Sequence, residues 1–268
     1  MAEKETDVFK MRHTLSHVLA AAVLEMYPEA KLGIGPAIDD GFYYDIDFGG
    51  KSVTEADLPK IEKKMRGIIK RGFEMKTREL TRKEALDWAA TAGQKYKVEL
   101  IEELPAGEKI TFYDMTLKDG KVLFEDLCKG PHVKKSAEIG AFRLTKVAGA
   151  YWRGDEKREM LTRIYGVAFE TEKELDDYLA WQEEAKARDH RKLGQQLELY
   201  CSSPLVGSGL PLFTPRGTIL RDMLNRFAQS YREDRGYQKV CIPHIALVDL
   251  YKTSGHYEKF PELLKFVS

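Results

Sequence analysis

Phe9-Lys-Met-Arg-His-Thr-Leu-Ser-His-Val18 begins the run of residues that decides the first element of the fold. From Phe9 to Tyr27 apolar residues recur at steps of three and four, and Pro28 ends the run. This spacing predicts an amphipathic helix. His13 and His17 are four residues apart, so both imidazoles project from one face of that helix.

A second His/Cys pair follows about 110 residues later, in Asp126-Leu-Cys-Lys-Gly-Pro-His132. Cys128 and His132 are also four apart, but the intervening Gly and Pro predict a tight turn after a strand rather than a helix. Three His and one Cys are a plausible zinc set. They equally suit a hydrolytic site in which a neutral imidazole accepts a proton from water near pH 7. For either pair alone, chance placement with core hydrogen bonds is a further alternative.

Composition limits the classes of function. The 268 residues contain 43 Lys plus Arg and 43 Asp plus Glu, so no overall field attracts polyanions and any RNA contact must be local. Three irregularly spaced cysteines do not make a disulfide framework, which indicates a reducing compartment and predicts the cytoplasm. The polar N-terminal segment and the absence of a long apolar run predict a protein that is neither secreted nor in a membrane.

The first part of the chain alternates helix and strand patterns. A loop over Lys31 to Asp39 precedes a predicted strand over Gly41 to Phe48. Three pairs have capping-box spacing at the start of a helix: Thr54 with Asp57, Thr81 with Glu84, and Thr171 with Glu174. Further short strands are predicted over Lys109 to Met115, Val122 to Asp126, Ile139 to Ala148 and Met160 to Phe169. The pattern predicts an α+β domain over residues 1–170.

The remainder is predicted to contain a linker and the start of a second domain. Residues 171–199 contain no Pro and many charged residues, which predicts one long, solvated linker helix. A turn-rich stretch follows, and the second domain is predicted over residues 200–268. Within it, Thr218 to Arg232 has a helical pattern and Tyr237 to Pro243 the pattern of an apolar strand. This segment is expected to be too short to enclose a core of its own.

The order of the two His/Cys pairs resembles the editing domain that threonyl- and alanyl-tRNA synthetases share. Several stretches resemble the threonyl type: Gly35-Pro-Ala-Ile-Asp-Asp-Gly-Phe-Tyr-Tyr-Asp45, Asp126-Leu-Cys-Lys-Gly-Pro-His132, Ala148-Gly-Ala-Tyr-Trp-Arg-Gly154 and Arg188-Asp-His-Arg-Lys-Leu-Gly194. The likeness continues through Gly209-Leu-Pro-Leu-Phe-Thr-Pro-Arg-Gly217, Gly236-Tyr-Gln-Lys-Val-Cys-Ile-Pro243 and Lys252-Thr-Ser-Gly-His256. The segment that ends at Pro243 is similar to motif 1 of class II synthetases, which lies at the dimer interface in that family.

The resemblance implies an α+β fold made of a two-part editing domain, a linker helix and the start of a class II antiparallel-sheet catalytic domain. It implies hydrolysis of mischarged Ser-tRNA(Thr), while the full-length enzyme ligates threonine to tRNA(Thr) with ATP. A pocket discriminates one methylene by only about 1–3 kcal/mol, so a second selection is required: an editing pocket that admits the seryl ester and sterically excludes the extra methyl of threonine. The family's TGS domain and motifs 2 and 3 are not found, so this chain is not expected to aminoacylate. The ATP and zinc sites are expected beyond residue 268.

Site residues follow from the same resemblance. His13, His17, Cys128 and His132 are expected to line the catalytic pocket, with His13 favoured as the base, and no metal is expected there. The alternative is that these four residues bind a metal, as a similar set does in the alanyl relatives. Lys97 matches a lysine that helps hold water or substrate, and a cation there can stabilise an oxyanion. Tyr44 and Asp126 match substrate-binding positions. The alternatives are that Lys97 is merely a solvated lysine, that Tyr44 packs in a sheet and that Asp126 caps a turn.

The expected partner is the acceptor end of tRNA(Thr), with a homodimer in the full-length enzyme and no membrane. Basic residues around the second pair are predicted to contact its phosphates: Lys129, Lys134, Lys135 and Arg143, with Lys146 nearby. A merely solvated basic surface is the alternative. Two other functions remain open. One is a freestanding trans-editing deacylase, and the other is a catalytically silent module that binds tRNA or a synthetase.

Overall fold

The computed structural model describes residues 6–105, 107–207, 209–243 and 246–260. The helices are α1 (Asp7–Met26), α2 (Leu58–Arg71), α3 (Arg82–Thr91), α4 (Lys95–Glu103), α5 (Glu172–Ala187), α6 (His190–Gln196), α7 (Pro215–Glu233), α8 (Val248–Thr253) and α9 (His256–Lys259). The strands are β1 (Lys31–Leu32), β2 (Ala37–Ile38), β3 (Gly41–Asp47), β4 (Phe73–Leu80), β5 (Ile110–Leu117), β6 (Val122–Leu127), β7 (Ala141–Tyr151), β8 (Met160–Phe169), β9 (Tyr200–Cys201) and β10 (Leu212–Phe213).

Two antiparallel sheets organise the part of the chain before residue 170. The larger has the order β1-β3-β8-β7, with β2 also paired to β3, and the smaller has the order β4-β5-β6. Every pairing among the described strands is antiparallel. The predicted mixture of helices and antiparallel strands is therefore confirmed.

Helix α1 is the centre of the main core. Its side chains from residues 14–23 are all buried, and the helix packs against α2, β3, β8 and β6. The Thr6 hydroxyl accepts a hydrogen bond from Phe9 N and so caps the first turn. Because both sheets contact this one helix, residues on its buried face lie between strands that are distant in sequence.

A second, smaller core lies under β5. It consists of Ala85 and Ala89 of α3, Ile101 of α4, and Ile110 and Phe112 of β5. The predicted Thr81–Glu84 capping box begins α3, with Thr81 N donating to Glu84 Oε2 at 2.8 Å. This packing holds α4 beside the smaller sheet and so determines where its buried lysine lies.

Most predicted elements agree with the structure to within a few residues, but two predictions about helix and loop extent are wrong. The predicted loop over Lys31 to Asp39 contains the short strands β1 and β2, which pair with β3. The predicted linker helix is interrupted at Asp189, whose backbone leaves the helical conformation and whose carboxylate accepts from Arg191 N. This cap starts α6 as a separate helix, since an Asp side chain competes with helical backbone bonds.

The predicted strand over Tyr237 to Pro243 is also wrong. These residues have no strand conformation, and Tyr237, Val240 and Ile242 are 69–77% exposed. A strand requires a neighbouring strand to satisfy its backbone groups, and no described strand pairs with this segment. Apolar residues on α7, such as Met223 and Phe227, are exposed as well.

The chain divides into two compact units, residues 1–185 and 186–268. The division falls inside the predicted linker, and the predicted domain boundaries at 170 and 199 stay predictions. Among the residues that the structure describes, no helix combines the length and hydrophobicity needed to cross a bilayer. Cys128, Cys201 and Cys241 are all free thiols, as the irregular cysteine spacing predicts.

Candidate functional site

The two His/Cys pairs come together in the first unit. His13 and His17 lie one turn apart on α1, and their rings are 5.6 Å apart between centroids. The His132 ring lies 4.2 Å from that of His13 and 4.4 Å from that of His17. The potential ligand atoms of His13, His17, Cys128 and His132 are all within 4.8 Å of one another. The structure thus gathers all four predicted residues into one cluster.

A short loop after β6 carries the second pair to α1. Cys128 N donates to the Thr111 carbonyl at 3.0 Å, and the Thr111 hydroxyl donates to the Cys128 carbonyl at 2.6 Å. Gly130 has a φ of 69°, and a Cβ at this position would lie 2.3 Å from the Tyr113 hydroxyl oxygen. Only glycine fits both conditions. The Gly130–Pro131 peptide is cis.

The thiol of Cys128 lies between two imidazoles. Its Sγ is 3.4 Å from His13 Nε2 and 3.2 Å from His132 Nε2. Gly130 N also points at the sulfur, at 3.3 Å. His13 Nδ1 contacts the Pro131 carbonyl at 3.1 Å, which orients the His13 ring with Nε2 towards the sulfur.

Burial keeps the histidines neutral. Desolvation lowers the pKa of His13, although the Pro131 carbonyl and Asp126 partly oppose it. Desolvation lowers the pKa of His17 and of His132 well below the usual value, and neighbouring His side chains lower both further. At neutral pH these rings therefore present unprotonated nitrogens, as a proton acceptor or a metal ligand must.

The cysteine is not an activated nucleophile. Desolvation raises the pKa of the Cys128 thiol to about 12, and the nearby Asp126 carboxylate acts in the same direction. A reactive cysteine requires a lowered pKa. The thiol instead acts as a protonated neighbour of the imidazoles, unless a metal replaces its proton.

The donor set also fits a metal ion. Nδ1 of His17 is buried and has no hydrogen-bond partner among the described residues. An unsatisfied buried nitrogen beside two imidazoles and a thiol is consistent with a zinc-type set of three nitrogens and one sulfur. His13, His17, Cys128 and His132 would hold such an ion.

A charged group lies next to this neutral cluster. Lys97 Nζ is 2.6 Å from Asp126 Oδ1, and the two side chains are only 3% and 2% exposed. Tyr44 donates from its hydroxyl to Asp126 Oδ2 at 2.5 Å, and Lys97 donates to the Tyr44 oxygen at 3.1 Å. Lys97 is not a solvated lysine, and Tyr44 and Asp126 do more than pack or cap a turn. Burial raises the pKa of Tyr44 well above its usual value, so its hydroxyl remains a donor.

The basic residues predicted to contact RNA are exposed. Three of them pair with carboxylates: Lys129 with Glu108, Lys135 with Glu74 at 3.7 Å, and Arg143 with Glu62 at 3.5 Å. Lys134 is exposed. Exposed ion pairs are weak and can exchange for phosphate contacts.

Two residues that were not among the predicted site residues contact the cluster. The Thr14 hydroxyl lies 3.2 Å from His132 Nδ1, and the Tyr113 ring lies 4.4 Å from the His132 ring. The available signal for Thr14 was its place inside the His-Thr-Leu-Ser-His stretch, where a polar residue falls on a buried helix face. Tyr113 had none, because its proximity depends on the strand register.

Residues 110–165 match the family model described as the threonyl and alanyl tRNA synthetase second additional domain. The threonine–tRNA ligase of Thermus thermophilus is 50% identical over 260 residues, which cover 94% of this chain and 39% of that enzyme. The threonine–tRNA ligase of Gloeobacter violaceus is 48% identical over 255 residues, with 94% and 40% covered. That of Deinococcus radiodurans is 50% identical over 259 residues, with 94% and 38% covered.

The chain spans about two fifths of the length of these relatives. The family match begins with β5 and includes Cys128 and His132, while His13 and His17 lie outside it. Over nearly its whole length the chain is therefore similar to part of the threonine–tRNA ligases, and its residues 110–165 match the model of the second additional domain of the threonyl and alanyl tRNA synthetases.

Proposed function

We propose that the chain is the editing part of a threonyl-tRNA synthetase and hydrolyses the ester of mischarged Ser-tRNA(Thr). The observation that carries this proposal is the convergence of three neutral imidazoles and one thiol, with ligand atoms within 4.8 Å, beside the buried Lys97–Asp126 pair. The relatives are named as threonine–tRNA ligases, and the family model is that of a domain of these synthetases.

In this proposal a neutral imidazole is the general base. Nε2 of His13 or His132 accepts a proton from water, and the water oxygen attacks the seryl ester carbonyl. The tetrahedral intermediate expels the ribose oxygen, which takes the proton back from the imidazolium. The products are free serine and tRNA with an intact terminal ribose. Lys97 stabilises the negative charge on the carbonyl oxygen through the local field of its ammonium group.

Substrate selection is steric. In this proposal the site admits a seryl group and excludes threonine through a clash with its additional methyl. An apolar cleft of about 200 Å³ that Cys128 and Lys129 border is suited to the terminal base of the acceptor end. Lys129, Lys134, Lys135 and Arg143 then contact the phosphates.

The test is deacylation of Ser-tRNA(Thr) and of Thr-tRNA(Thr) by the chain after exhaustive chelation. We expect rapid loss of serine only. His13→Ala should lower the rate by about 10²–10⁴-fold, the usual contribution of a general base. His190→Ala removes an exposed histidine from another helix and is the matched control, with no change expected.

Adding zinc to the chelated protein separates the two chemistries of the cluster. Unchanged or slower hydrolysis supports metal-free editing, whereas activity that appears only with zinc assigns the four residues as ligands. A folded protein that binds Ser-tRNA(Thr) but leaves the ester intact would reject hydrolysis and favour the silent binding module. Hydrolysis that disappears when the chain is shortened to the first unit would argue against a freestanding deacylase.

A further inference from the structure

The Thr14 hydroxyl makes three polar contacts in a fully buried position. Its oxygen is 2.8 Å from the Lys10 carbonyl oxygen, 3.1 Å from Val133 N and 3.2 Å from His132 Nδ1. Thr14 is 0% exposed, so water does not compete for these contacts. The three partners come from α1 and from the loop after β6, and the hydroxyl therefore joins the two sequence pairs of the site.

The hydrogens of this group can be assigned from its partners. A hydroxyl has one hydrogen to donate and two lone pairs to accept. The Lys10 carbonyl can only accept and Val133 N–H can only donate, so the hydroxyl hydrogen goes to Lys10 and one lone pair to Val133. The remaining lone pair faces His132 Nδ1. This contact is a hydrogen bond only when Nδ1 carries the proton of the neutral ring.

The assignment determines what His132 presents to the reacting groups. With the proton on Nδ1, the lone pair of Nε2 points at Cys128 Sγ, 3.2 Å away. His13 has the same tautomer, because its Nδ1 faces the Pro131 carbonyl. Two Nε2 lone pairs thus face one thiol, which has a single hydrogen to donate. One of the two stays available as an acceptor.

We propose that Thr14 is a positioning residue: its hydroxyl holds His132 in the Nδ1–H tautomer and so keeps Nε2, which faces Cys128 Sγ, as an acceptor. Its effect on activity rests on the proposed editing function, but the tautomer itself does not. Removing the hydroxyl leaves His132 Nδ1 without its acceptor and frees the ring to take the other tautomer.

The experiment compares Thr14→Val, which keeps the shape and removes the hydroxyl, with Thr14→Ser, which keeps the hydroxyl. Long-range ¹H–¹⁵N spectra of the labelled, metal-free chain at neutral pH report the tautomer of each histidine. His132→Gln identifies the His132 signals by their loss. Metal is removed because an ion on Nε2 would itself impose the Nδ1–H form.

We expect the Nδ1–H pattern for His132 in the unsubstituted chain and in Thr14→Ser, and a mixed or Nε2–H pattern in Thr14→Val. Deacylation by Thr14→Val should fall about 10–100-fold through kcat, as for other residues that orient catalytic groups, and Thr14→Ser should retain most activity. Thr116→Val is the matched control, because it removes a hydroxyl from a buried threonine at the opposite end of β5 from Cys128.

A folded Thr14→Val chain in which His132 keeps a pure Nδ1–H pattern would overturn the proposal, as would an Nε2–H pattern in the unsubstituted chain. If the unsubstituted chain shows the expected tautomer but hydrolyses no ester, the editing function fails while the role of Thr14 stands. Thr14→Val that fails to fold is replaced by Thr14→Ala. The same tautomer change is expected from it.

Discussion

The His/Cys cluster and the Lys97–Asp126–Tyr44 group lie side by side, and their buried residues meet the cost of burial in opposite ways. His17 and His132 are 2% and 9% exposed, and desolvation holds them neutral. Lys97 and Asp126 are each 2% exposed and instead form an ion pair. Burial penalises a lone charge, and the imidazole avoids the penalty by losing its proton, whereas the amine and carboxylate avoid it by pairing.

This difference matches the two roles of the proposed mechanism. Neutral imidazoles are able to accept protons, while the ammonium of Lys97 is held in a fixed position by Asp126. The charged group also acts on the neutral one: desolvation lowers the pKa of His13 and Asp126 partly opposes that change, while desolvation lowers the pKa of His17 and Lys97 adds to it. A substitution in one group is therefore expected to change the electrostatic environment of the other.

The largest expected effect on stability comes from a substitution in the Lys97–Asp126–Tyr44 group. Lys97→Met leaves the Asp126 carboxylate buried without its counter-charge and should lower the free energy of unfolding by about 3–5 kcal/mol, as measured by urea denaturation. The matched control is Lys109→Met, which breaks a pair with Glu79 that is 77% and 57% exposed and should cost less than about 1 kcal/mol.

Lys97→Met combined with Asp126→Leu removes both charges together. It should recover part of the lost stability, because an apolar pair replaces an unpaired ion. Equal, small effects of Lys97→Met and Lys109→Met would contradict the view that burial makes the Lys97 pair different.

A smaller effect is expected from the hydrogen bond that completes the charged group. Tyr44→Phe removes a buried donor to a carboxylate and should cost about 1.5–3 kcal/mol in thermal or urea unfolding. Tyr96→Phe removes a bond from a tyrosine to the less buried Asp47, at 3.1 Å, and should cost less. The reverse order would show that the Tyr44 bond contributes little beyond packing.

The neutrality of the three histidines is tested by the pH dependence of the chain's stability. The folded-state pKa values of His13, His17 and His132 are lowered, so the unfolded chain binds more protons in acid. The stability that the neutral histidines contribute is complete above their unfolded-state pKa of about 6.5. It is lost as the pH falls from that value to their lower folded-state pKa values. One pKa unit of separation corresponds to about 1.4 kcal/mol for each histidine.

Urea unfolding between pH 7.5 and pH 5.5 measures this loss. His17→Gln should weaken the pH dependence, since His17 is the most deeply buried of the three, and His190→Gln should leave it unchanged. Stability that stays constant over this range would mean that the histidines have the same pKa values in the folded and unfolded chains, and stability that rises as pH falls would mean that they are protonated in the folded chain; either result would contradict the lowered pKa values.

The smallest effects belong to the surface around the charged and neutral groups. Lys135→Ala breaks an exposed contact with Glu74 at 3.7 Å and should change stability by no more than about 1 kcal/mol. The same change should weaken tRNA binding and its dependence on salt if Lys135 contacts phosphate. A filter-binding salt series checks this, and an unchanged salt slope would remove Lys135 from the interface.

Local pattern was sufficient for much of the fold. The helix that carries His13 and His17, the Thr81 capping box and the strand Met160–Phe169 follow from spacing within about ten to twenty residues, and all are confirmed. The strand predicted over Tyr237 to Pro243 failed because an apolar, extended pattern states only that a strand is possible. It becomes a strand only where another strand satisfies its backbone.

By itself, the sequence predicted the residues of the candidate site and the elements on which they lie. His13 and His17 share a helix face because of the helical period, and Gly130 and Pro131 make the loop that carries Cys128 and His132. Only the tertiary structure decided that these pairs meet, that Lys97 is buried against Asp126, and that Thr14 contacts His132. These contacts join residues 29 to 119 positions apart, and they depend on how α1 packs between two sheets. Local propensity does not encode that packing, whereas the burial it creates lowers the pKa values of the three histidines and raises that of the Cys128 thiol.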